Sequence, residues 1–456
     1  MRLYSKDVSR DTSLLKLTLQ WINVPLNKNS RLIANVLYVS HLILKIREVI
    51  MNKQKSGNCF KVLSIMALGS FLAISTPADA AKNNKEKAGQ PFQNKKWEYN
   101  IKETHNIGIL KMIGEQRIPF KKEFQGTVVG GLSGLSYNAK QGTWMMISDD
   151  KSDNSPARFY TAQLNYDNKN FNSVTLTGMD FLKQANGTNY PNQTQYAIKG
   201  GEVPDFESIR LDPKDGSVWY TSEGSRSLGL NPFIKHANGE GKYLATLPLA
   251  KQFNMIPEHE IGPRDNLTFE GMTFANDGNS LWVSMEAPLY QDGPVPTTTN
   301  GALSRITQYD RKGKLLAQYA YPIDAIPAKP GPGKYADNGV SEILSVNKHK
   351  LLTIERSGVQ SADGTFKNYI RIYELDTRGA SDISNIHSLQ GQKFKPVKKR
   401  LVLDLTTLGL SVLDNIEGIS WGPKLPNGHD SLVLVSDDNF NGNQVTQFLA
   451  FEVLPK

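Results

Sequence analysis

The chain has 456 residues, with 53 Lys and Arg, 44 Asp and Glu, one Cys and a formal net charge of +9. Residues 1–80 carry 11 of the basic and 4 of the acidic residues, so residues 81–456 hold 42 against 40 and a net charge of +2. Residues 81–456 are therefore nearly neutral and show no basic stripe of the kind that binds nucleic acid. Because Cys59 is the sole thiol, disulfides, zinc thiolates and cysteine nucleophiles are excluded from residues 81–456.

Residues 51–80 have the three parts of a secretory signal peptide. Lysines near Met51 precede an apolar run over 62–74, and Ala78-Asp79-Ala80 forms a small-residue cleavage site. The run is too short to span a bilayer, and the alternative interpretation is an ordinary buried helix. The pattern predicts an exported protein, periplasmic or secreted, whose mature chain has no stable membrane insertion.

A signal peptide stands at the start of a chain, so residues 1–50 are interpreted as an over-long prediction of the gene's start, with Met51 as the true first residue. The alternative is a membrane anchor over 32–46, which is short and interrupted by charge. Residues 81–96 are polar and predict a flexible tail. Residues 97–456 remain as the folded domain.

After the tail, the chain repeats one unit. Each copy reads as a short strand, a turn rich in Gly, Asn, Asp or Pro, and an apolar strand, which is a hairpin signal. In chain order, the copies cover residues 130–150, 205–224, 268–287, 339–357 and 415–438. Third strands follow at 158–166, 304–310, 369–376 and 445–453. Such units without helical patterns predict an all-β fold, a β-propeller of four-stranded blades.

The number of blades follows from the residues left over at the two ends. The 39 residues after Glu417 and the 42 from Pro91 to Leu132 together make about one more unit. We therefore expect five blades, with a strand within 106–118 completing the last blade beside 445–453. A sixth blade is the alternative, and it requires one long insert to contain a degenerate blade.

Each unit carries two anchor residues, one opening its first strand and one closing its second. The first anchors are Ser133, Glu207, Glu270, Glu342 and Glu417, and the second are Asp149, Glu223, Glu286, Glu355 and Asp437. The start of one strand of an antiparallel hairpin lies beside the end of the next. Both anchors of a blade therefore lie at the same end, and the sequence predicts that they collect around the channel axis.

The nine acidic anchors would repel one another strongly. At about 4 Å, each pair of carboxylates costs about 4 kcal/mol at an effective dielectric constant near 20. Bound cations, arginines or raised pKa values can offset this repulsion. Oxygen ligands without cysteine and with few histidines favour Ca²⁺, so the predicted metal ligands are Asp149, Glu207, Glu223, Glu270, Glu286, Glu342, Glu355, Glu417 and Asp437.

Arginine is the competing way to neutralise these acids. Arg158, Arg305 and Arg371 lie at similar positions on the third strands, while Arg226 and Arg356 closely follow second anchors. In this alternative the arginines pair with the carboxylates, and the network serves only to fix the geometry of the blades.

Six segments of the chain resemble the phytase-like family, whose members are described as having esterase-like activity of phytase. They read GGLSGLSY, ARFYTAQL, DFESIRL, NLTFEGMTF, LWVSMEAP and DNIEGISW, and the resemblance extends over residues 126–453. It implies a repeat-built β fold, an exported location and a hydrolase acting on phosphate esters. The acids of the family pattern fall on Glu207, Glu223, Glu270, Glu286, Glu342, Glu355 and Glu417.

Together, the ring and the resemblance predict a monomeric, calcium-assisted hydrolase of small phosphate esters, of phytase or phosphodiesterase type. Its predicted catalytic residues are Glu207, Glu270, Glu286, Arg226 and Arg356. Glu270 or Glu286 would take the proton of an attacking water, and the arginines would steady the phosphoryl oxygens. The main alternative is a non-catalytic propeller that binds an envelope glycan, peptide or protein. A lactonase-like propeller with one axial calcium is the other.

Overall fold

The computed structural model describes residues 104–456, and their regular structure is almost wholly β. Five four-stranded antiparallel sheets are the blades of a propeller, which confirms the five-blade prediction. One short helix, α1 (Gln193–Lys199), begins after Asn192, whose side chain accepts a hydrogen bond from the Gln195 N–H. Within residues 104–456, no helix is long and apolar enough to cross a membrane. The predicted signal peptide and the segments 1–50 and 81–96 lie outside the described residues.

The fifth blade joins the two ends of the described chain. From the outside inwards its strands are β1 (Ile109–Ile118), β22 (Thr446–Leu454), β21 (Asp430–Asp437) and β20 (Asn415–Trp421). β1 pairs with β22 along nearly its whole length, from Ile109 opposite Leu454 to Ile118 opposite Thr446. This confirms that an N-terminal strand completes the last blade.

The other four blades are each continuous in sequence, with the first strand innermost. Blade 1 is β4 (Leu132–Asn138), β5 (Thr143–Ser148), β6 (Arg158–Tyr166) and β7 (Phe171–Phe181). Blade 2 is β8 (Phe206–Leu211), β9 (Val218–Ser222), β10 (Phe233–Ala237) and β11 (Tyr243–Thr246). Blade 3 is β12 (Phe269–Phe274), β13 (Ser280–Met285), β14 (Ala302–Asp310) and β15 (Leu315–Ile323). Blade 4 is β16 (Gly339–Ser345), β17 (Lys350–Gln360), β18 (Phe366–Asp376) and β19 (Lys398–Asp404).

Short elements fill some of the connections. A two-stranded hairpin of β2 (Glu123–Phe124) and β3 (Thr127–Val128) lies between β1 and β4. Single 3₁₀ turns occur at Lys251–Phe253, Tyr290–Asp292 and Leu405–Leu408.

Apolar side chains hold the blades to one another. Five buried clusters occupy the five interfaces between neighbouring blades; Trp144 and Tyr160 of blade 1, for example, share a cluster with Val433 and Phe448 of blade 5. Because each blade presents an apolar face to both neighbours, the ring is stabilised by burial between sheets and needs no disulfide.

The inner strands approach closely around the axis, each contacting the inner strands of both neighbouring blades. A Cβ at Gly134 would lie 2.6 Å from the Glu207 carbonyl oxygen, and one at Gly271 would lie 2.6 Å from the Ile343 nitrogen. Glycine is therefore required at these two positions because the neighbouring backbone fills the space of a side chain.

Every inner strand also contains a β-bulge near its start. The register against the second strand shifts within 132–134, 206–209, 269–272, 340–342 and 416–418. A bulge inserts an extra residue and redirects its side chain. Each register shift begins with an apolar residue, and we call the next residue the bulge residue. The five bulge residues are Ser133, Glu207, Glu270, Ser341 and Glu417.

Candidate functional site

Seven carboxylates meet at one end of the channel, and we call them the acidic ring. Three come from the bulges of the inner strands, and four from residues that end or directly follow the second strands. Its members are Asp149, Glu207, Glu223, Glu270, Glu286, Glu417 and Asp437. All but the half-buried Asp149 are at most 8% exposed, so most of the ring is withdrawn from bulk water.

Blade 4 departs from this pattern by one residue. Its bulge position is occupied by Ser341, and Glu342 follows it. In the second strand, Val340 pairs with Glu355, so Arg356 stands where the other blades have an acid. The structure therefore does not bring Glu342 and Glu355 into the ring, in contrast to their predicted places.

The sequence contains a signal that would have corrected this alignment. An apolar residue precedes each true first anchor, and in blade 4 that residue is Val340, which selects Ser341. The separation from Ser341 to Arg356 is 15 residues, close to the 16 of blades 1 to 3, whereas Glu342 and Glu355 are only 13 apart.

Glu342 lies deeper in the channel, in an ion pair with Arg210 that we call the plug. An oxygen of Glu342 is 2.8 Å from Arg210 Nη2, and the carboxylate accepts the Met272 N–H. The Arg210 guanidinium donates to the carbonyl oxygens of Leu135, Ile209, Ile343 and Ile419. The plug thus bonds to all five inner strands across the channel axis.

Glu355 is fully buried between blades 3 and 4. It accepts hydrogen bonds from the Tyr321 hydroxyl at 2.8 Å and from Asn338 Nδ2 at 3.1 Å, and it pairs with Lys399. These partners satisfy the carboxylate, so its role in this structure is to join two blades.

Arg356 and Lys151 are the cations that interact with the acidic ring. Arg356 Nη2 is 3.0 Å from Glu286 Oε1, and its Nε is 3.5 Å from Glu417 Oε1. Lys151 Nζ is 2.8 Å from Asp205 Oδ1, beside the ring. Sequence reasoning missed Lys151, although it directly follows the Asp149-Asp150 pair.

The other four predicted arginines are committed elsewhere. Arg158 pairs with Asp150, and Arg305 forms two hydrogen bonds to Asp292 at 2.6 and 2.7 Å. Arg371 lies 3.3 Å from Asp324. Because these three arginines have their own partners, they do not neutralise the ring.

Arg226, a predicted catalytic residue, also lies away from the ring. Its guanidinium donates to the carbonyl oxygens of Ile256, His259, Ile261 and Pro263, and it stacks over Tyr290. It therefore holds the loop over 256–263 in place.

The Ser133 hydroxyl is bonded to the backbone of the neighbouring inner strand. It donates to the carbonyl oxygens of Phe206 and Glu207, both at 2.9 Å. Ser341 makes the corresponding contact to Ile416 at 3.3 Å. Both serines tie their inner strand to the next one around the axis.

Burial and mutual repulsion favour the neutral form of the ring acids. Burial is the first cause and neighbouring carboxylates the next in holding the pKa values of Asp149, Glu207, Glu223 and Glu270 well above the ordinary range. Burial also raises the pKa of Glu286 to about 8, against the lowering effect of Arg356. The described cations therefore leave the ring under-compensated.

The residues present fit a hard cation on the side of blades 1 to 3. Asp149, Asp205 and Glu207 form one triad, and Glu207, Glu223 and Glu270 form a second. Within each triad, one oxygen from each carboxylate lies within 4.8 Å of the others. Among the described residues, the buried Asp149 Oδ1 has no hydrogen-bond partner. An all-oxygen donor set of this kind suits Ca²⁺.

The comparison with protein families agrees with the resemblance seen in the sequence. The family model described as phytase-like, esterase-like activity of phytase, matches residues 127–440. No curated protein matches the chain. Among solved structures, a glycosidase domain from Coprinopsis cinerea, a GH62 α-L-arabinofuranosidase, is 10% identical with a TM-score of 0.38 and covers 77% of this chain and 98% of its own. A glucose dehydrogenase is 13% identical with a TM-score of 0.30, covering 72% and 83%. Likenesses this remote support no inference about function.

Proposed function

The chain belongs to the phytase-like family, and on this premise we propose that it is an exported, calcium-assisted hydrolase of phosphate esters, of phytase or phosphodiesterase type. Its substrate would be a small molecule. We propose a monomer of the periplasm or the medium, without nucleic-acid partners. The observation that carries this proposal is the division of the ring end into a carboxylate side and an arginine side.

The carboxylate side would hold the metal. Asp149, Asp205, Glu207, Glu223 and Glu270 supply the two triads on blades 1 to 3. Bound there, Ca²⁺ would supply Lewis-acid polarisation of a phosphoryl oxygen and a lower pKa for water. The raised pKa values of these acids support this assignment, because a bound cation would offset the burial and the mutual repulsion that favour their neutral forms.

The arginine side would bind the phosphate. Arg356 has a partly exposed guanidinium, and its planar group of N–H donors suits phosphoryl oxygens. Arg356 also contacts Glu286, whose pKa of about 8 lets it be either protonated or ionised near neutral pH. Glu286 is therefore our proposed general base, placed where Arg356 would orient the ester.

A panel of phosphomonoesters, phosphodiesters and phytate, assayed with Ca²⁺ and with EDTA, tests the proposal. We expect hydrolysis of at least one ester with Ca²⁺, loss of that hydrolysis in EDTA, and a lower melting temperature in EDTA. If EDTA changes neither hydrolysis nor melting temperature, the calcium proposal is wrong.

The same panel separates the alternatives. A calcium-dependent melting temperature without turnover of any ester would identify a binding propeller, and hydrolysis of a lactone in place of an ester would identify the lactonase-like reaction.

A further inference from the structure

We propose that the Lys151 ammonium group fills one of two adjacent cation positions at the acidic ring, so that the chain holds one Ca²⁺ beside a cation of its own. This inference rests on the calcium site of the proposed function and states which part of that site takes the ion. We call the two positions the first triad and the second triad. The first triad is Asp149, Asp205 and Glu207, and the second is Glu207, Glu223 and Glu270.

Lys151 reaches the first triad from the loop between β5 and β6. Its Nζ lies 2.8 Å from Asp205 Oδ1 and donates a hydrogen bond to Asn266 Oδ1 at 2.9 Å. The carboxylates that act on the ammonium group most strongly are those of Asp205, Asp149 and Glu207, which are the three members of the first triad. A metal ion bound there would lie beside this ammonium group, and two like charges at such a distance repel. Lys151 and a metal ion therefore compete for the first triad.

The loop holds Lys151 in a backbone conformation that few side chains adopt. Its φ is 46°, in the left-handed region that residues other than glycine rarely occupy. The carboxylate of the preceding Asp150 fixes the turn, because it accepts the N–H groups of Asn154 and Ser155 at 2.7 and 2.9 Å. Asp150 also forms a buried ion pair with Arg158. The position of Lys151 is thus determined by the buried contacts of its loop.

The second triad has no such cation. The ion pairs of Lys151 and Arg356 with the acids at this end of the channel go to Asp205, Glu286, Asp337 and Glu417. Within residues 104–456, no member of the second triad therefore has an ion pair, although each is at most 7% exposed. Buried carboxylates without a cation are costly, so a bound ion would stabilise the second triad more than the first.

The shared Glu207 makes the two positions neighbours. Hydrolases that use two metal ions hold two cations next to each other in this way. In this chain the ammonium group would replace one of the two ions. The first triad would then be neutralised in part at any calcium concentration, and only the second triad would respond to calcium.

Calorimetric titration of Ca²⁺ into the purified, metal-stripped protein counts the ions. We expect the unaltered chain to bind one Ca²⁺ and Lys151→Met to bind a second, because the first triad loses its resident cation. Lys121→Met is the matched control and should bind one. Lys121 also has a positive φ, of 56°, but it is exposed and lies over the Phe120 ring.

The melting temperature in EDTA is a second measurement. We expect Lys151→Met to melt at least about 2 °C below Lys121→Met, since the first triad has lost its cation. Saturating Ca²⁺ should then raise the melting temperature of Lys151→Met by more than that of the unaltered chain. The proposal is overturned if the unaltered chain binds two ions, if Lys151→Met gains none, or if Lys121→Met gains one as well.

These outcomes are separate from those of the ester panel. A second ion in Lys151→Met without turnover of any ester would support the role of Lys151 and reject the hydrolase. Calcium-dependent turnover with the same number of ions in both proteins would support the hydrolase and reject the role of Lys151.

Discussion

Blades 3 and 4 share their strand order and a bulge in the inner strand, but they carry different side chains at the channel. In each blade, the inner strand begins with a bulge. A residue at the matching end of the second strand lies beside that bulge. Blade 3 places Glu270 and Glu286 at these positions, and blade 4 places Ser341 and Arg356. The repeat therefore fixes where side chains point, while a one-residue offset in blade 4 makes the ring asymmetric and gives it a cationic side.

We expect the largest loss of stability when the plug is disrupted. Its acid, Glu342 of blade 4, occupies the position that Gly271 has in blade 3. Arg210→Met would leave Glu342 buried without its cation, and we expect the free energy of unfolding to fall by about 3–5 kcal/mol. Urea denaturation measures it. The double variant Arg210→Met/Glu342→Leu should recover most of the loss, and a loss below about 1 kcal/mol in the single variant would contradict the plug.

The two bulge residues provide the next test. Glu270→Gln removes a proposed metal ligand, and we expect kcat/KM for the responsive ester to fall by about a hundredfold or more, equivalent to about 3 kcal/mol. Ser341→Ala, at the matching position of blade 4, should change kcat/KM by less than about threefold. Equal losses in the two variants would remove the functional distinction between the blades.

The pH dependence of stability tests whether the ring is under-compensated. In the ring, burial raises the folded-state pKa of Glu286 to about 8. Outside the ring, burial also raises the pKa of Glu342 in the plug to about 7. Such groups favour folding below the ordinary pKa and lose that contribution as pH rises through the folded pKa. In EDTA we therefore expect the free energy of unfolding to fall by a few kcal/mol between about pH 5 and pH 8.

Urea denaturation at several pH values provides the measurement. Added Ca²⁺ should flatten the profile, because a bound cation favours the ionised carboxylates, and Glu286→Gln should reduce the slope without metal. A profile that rises with pH in EDTA would show that the ring acids are compensated in some other way.

The smallest expected effect concerns the cation of blade 4. Arg356→Gln should raise KM for the ester by about tenfold and change kcat by less than about threefold, because it removes a contact to the ground-state phosphate. Arg226→Gln is the control, since Arg226 is bonded to the loop over 256–263 and lies away from the ring. If steady-state kinetics show the larger change in KM for Arg226→Gln, the assignment of Arg356 as the phosphate-binding arginine is wrong.

Much of the architecture was predictable because repeats and hairpin signals are local. The five blades, the third strands and the closing strand β1 all follow from spacing and patterns of apolar residues. The convergence of Glu207 and Glu270 follows from the same spacing. The ion-pair partner of each charged side chain could not be predicted from the spacing. Arg210 and Glu342, for example, are 132 residues apart and meet only across the channel.

The positions of Glu342 and Glu355 were wrong for a related reason. A bulge shifts the side-chain alternation by one residue, and a glutamate on the wrong side of that shift still looks like an anchor in the sequence. Lys151 was missed because it lies at a positive φ in a turn, outside the strand pattern that guided the search.

The pairing of β1 with β22 has a consequence for the order of assembly. A ribosome produces β1 among the first parts of this domain and β22 as the last, more than 300 residues later. The outer strand of the fifth blade must therefore wait, unpaired, until β22 has been synthesised. The long sequence separation of this contact makes the closure of the blade a slow step in folding. A chain shortened by the length of β22 would retain four whole blades and leave β1 without the strand with which it pairs.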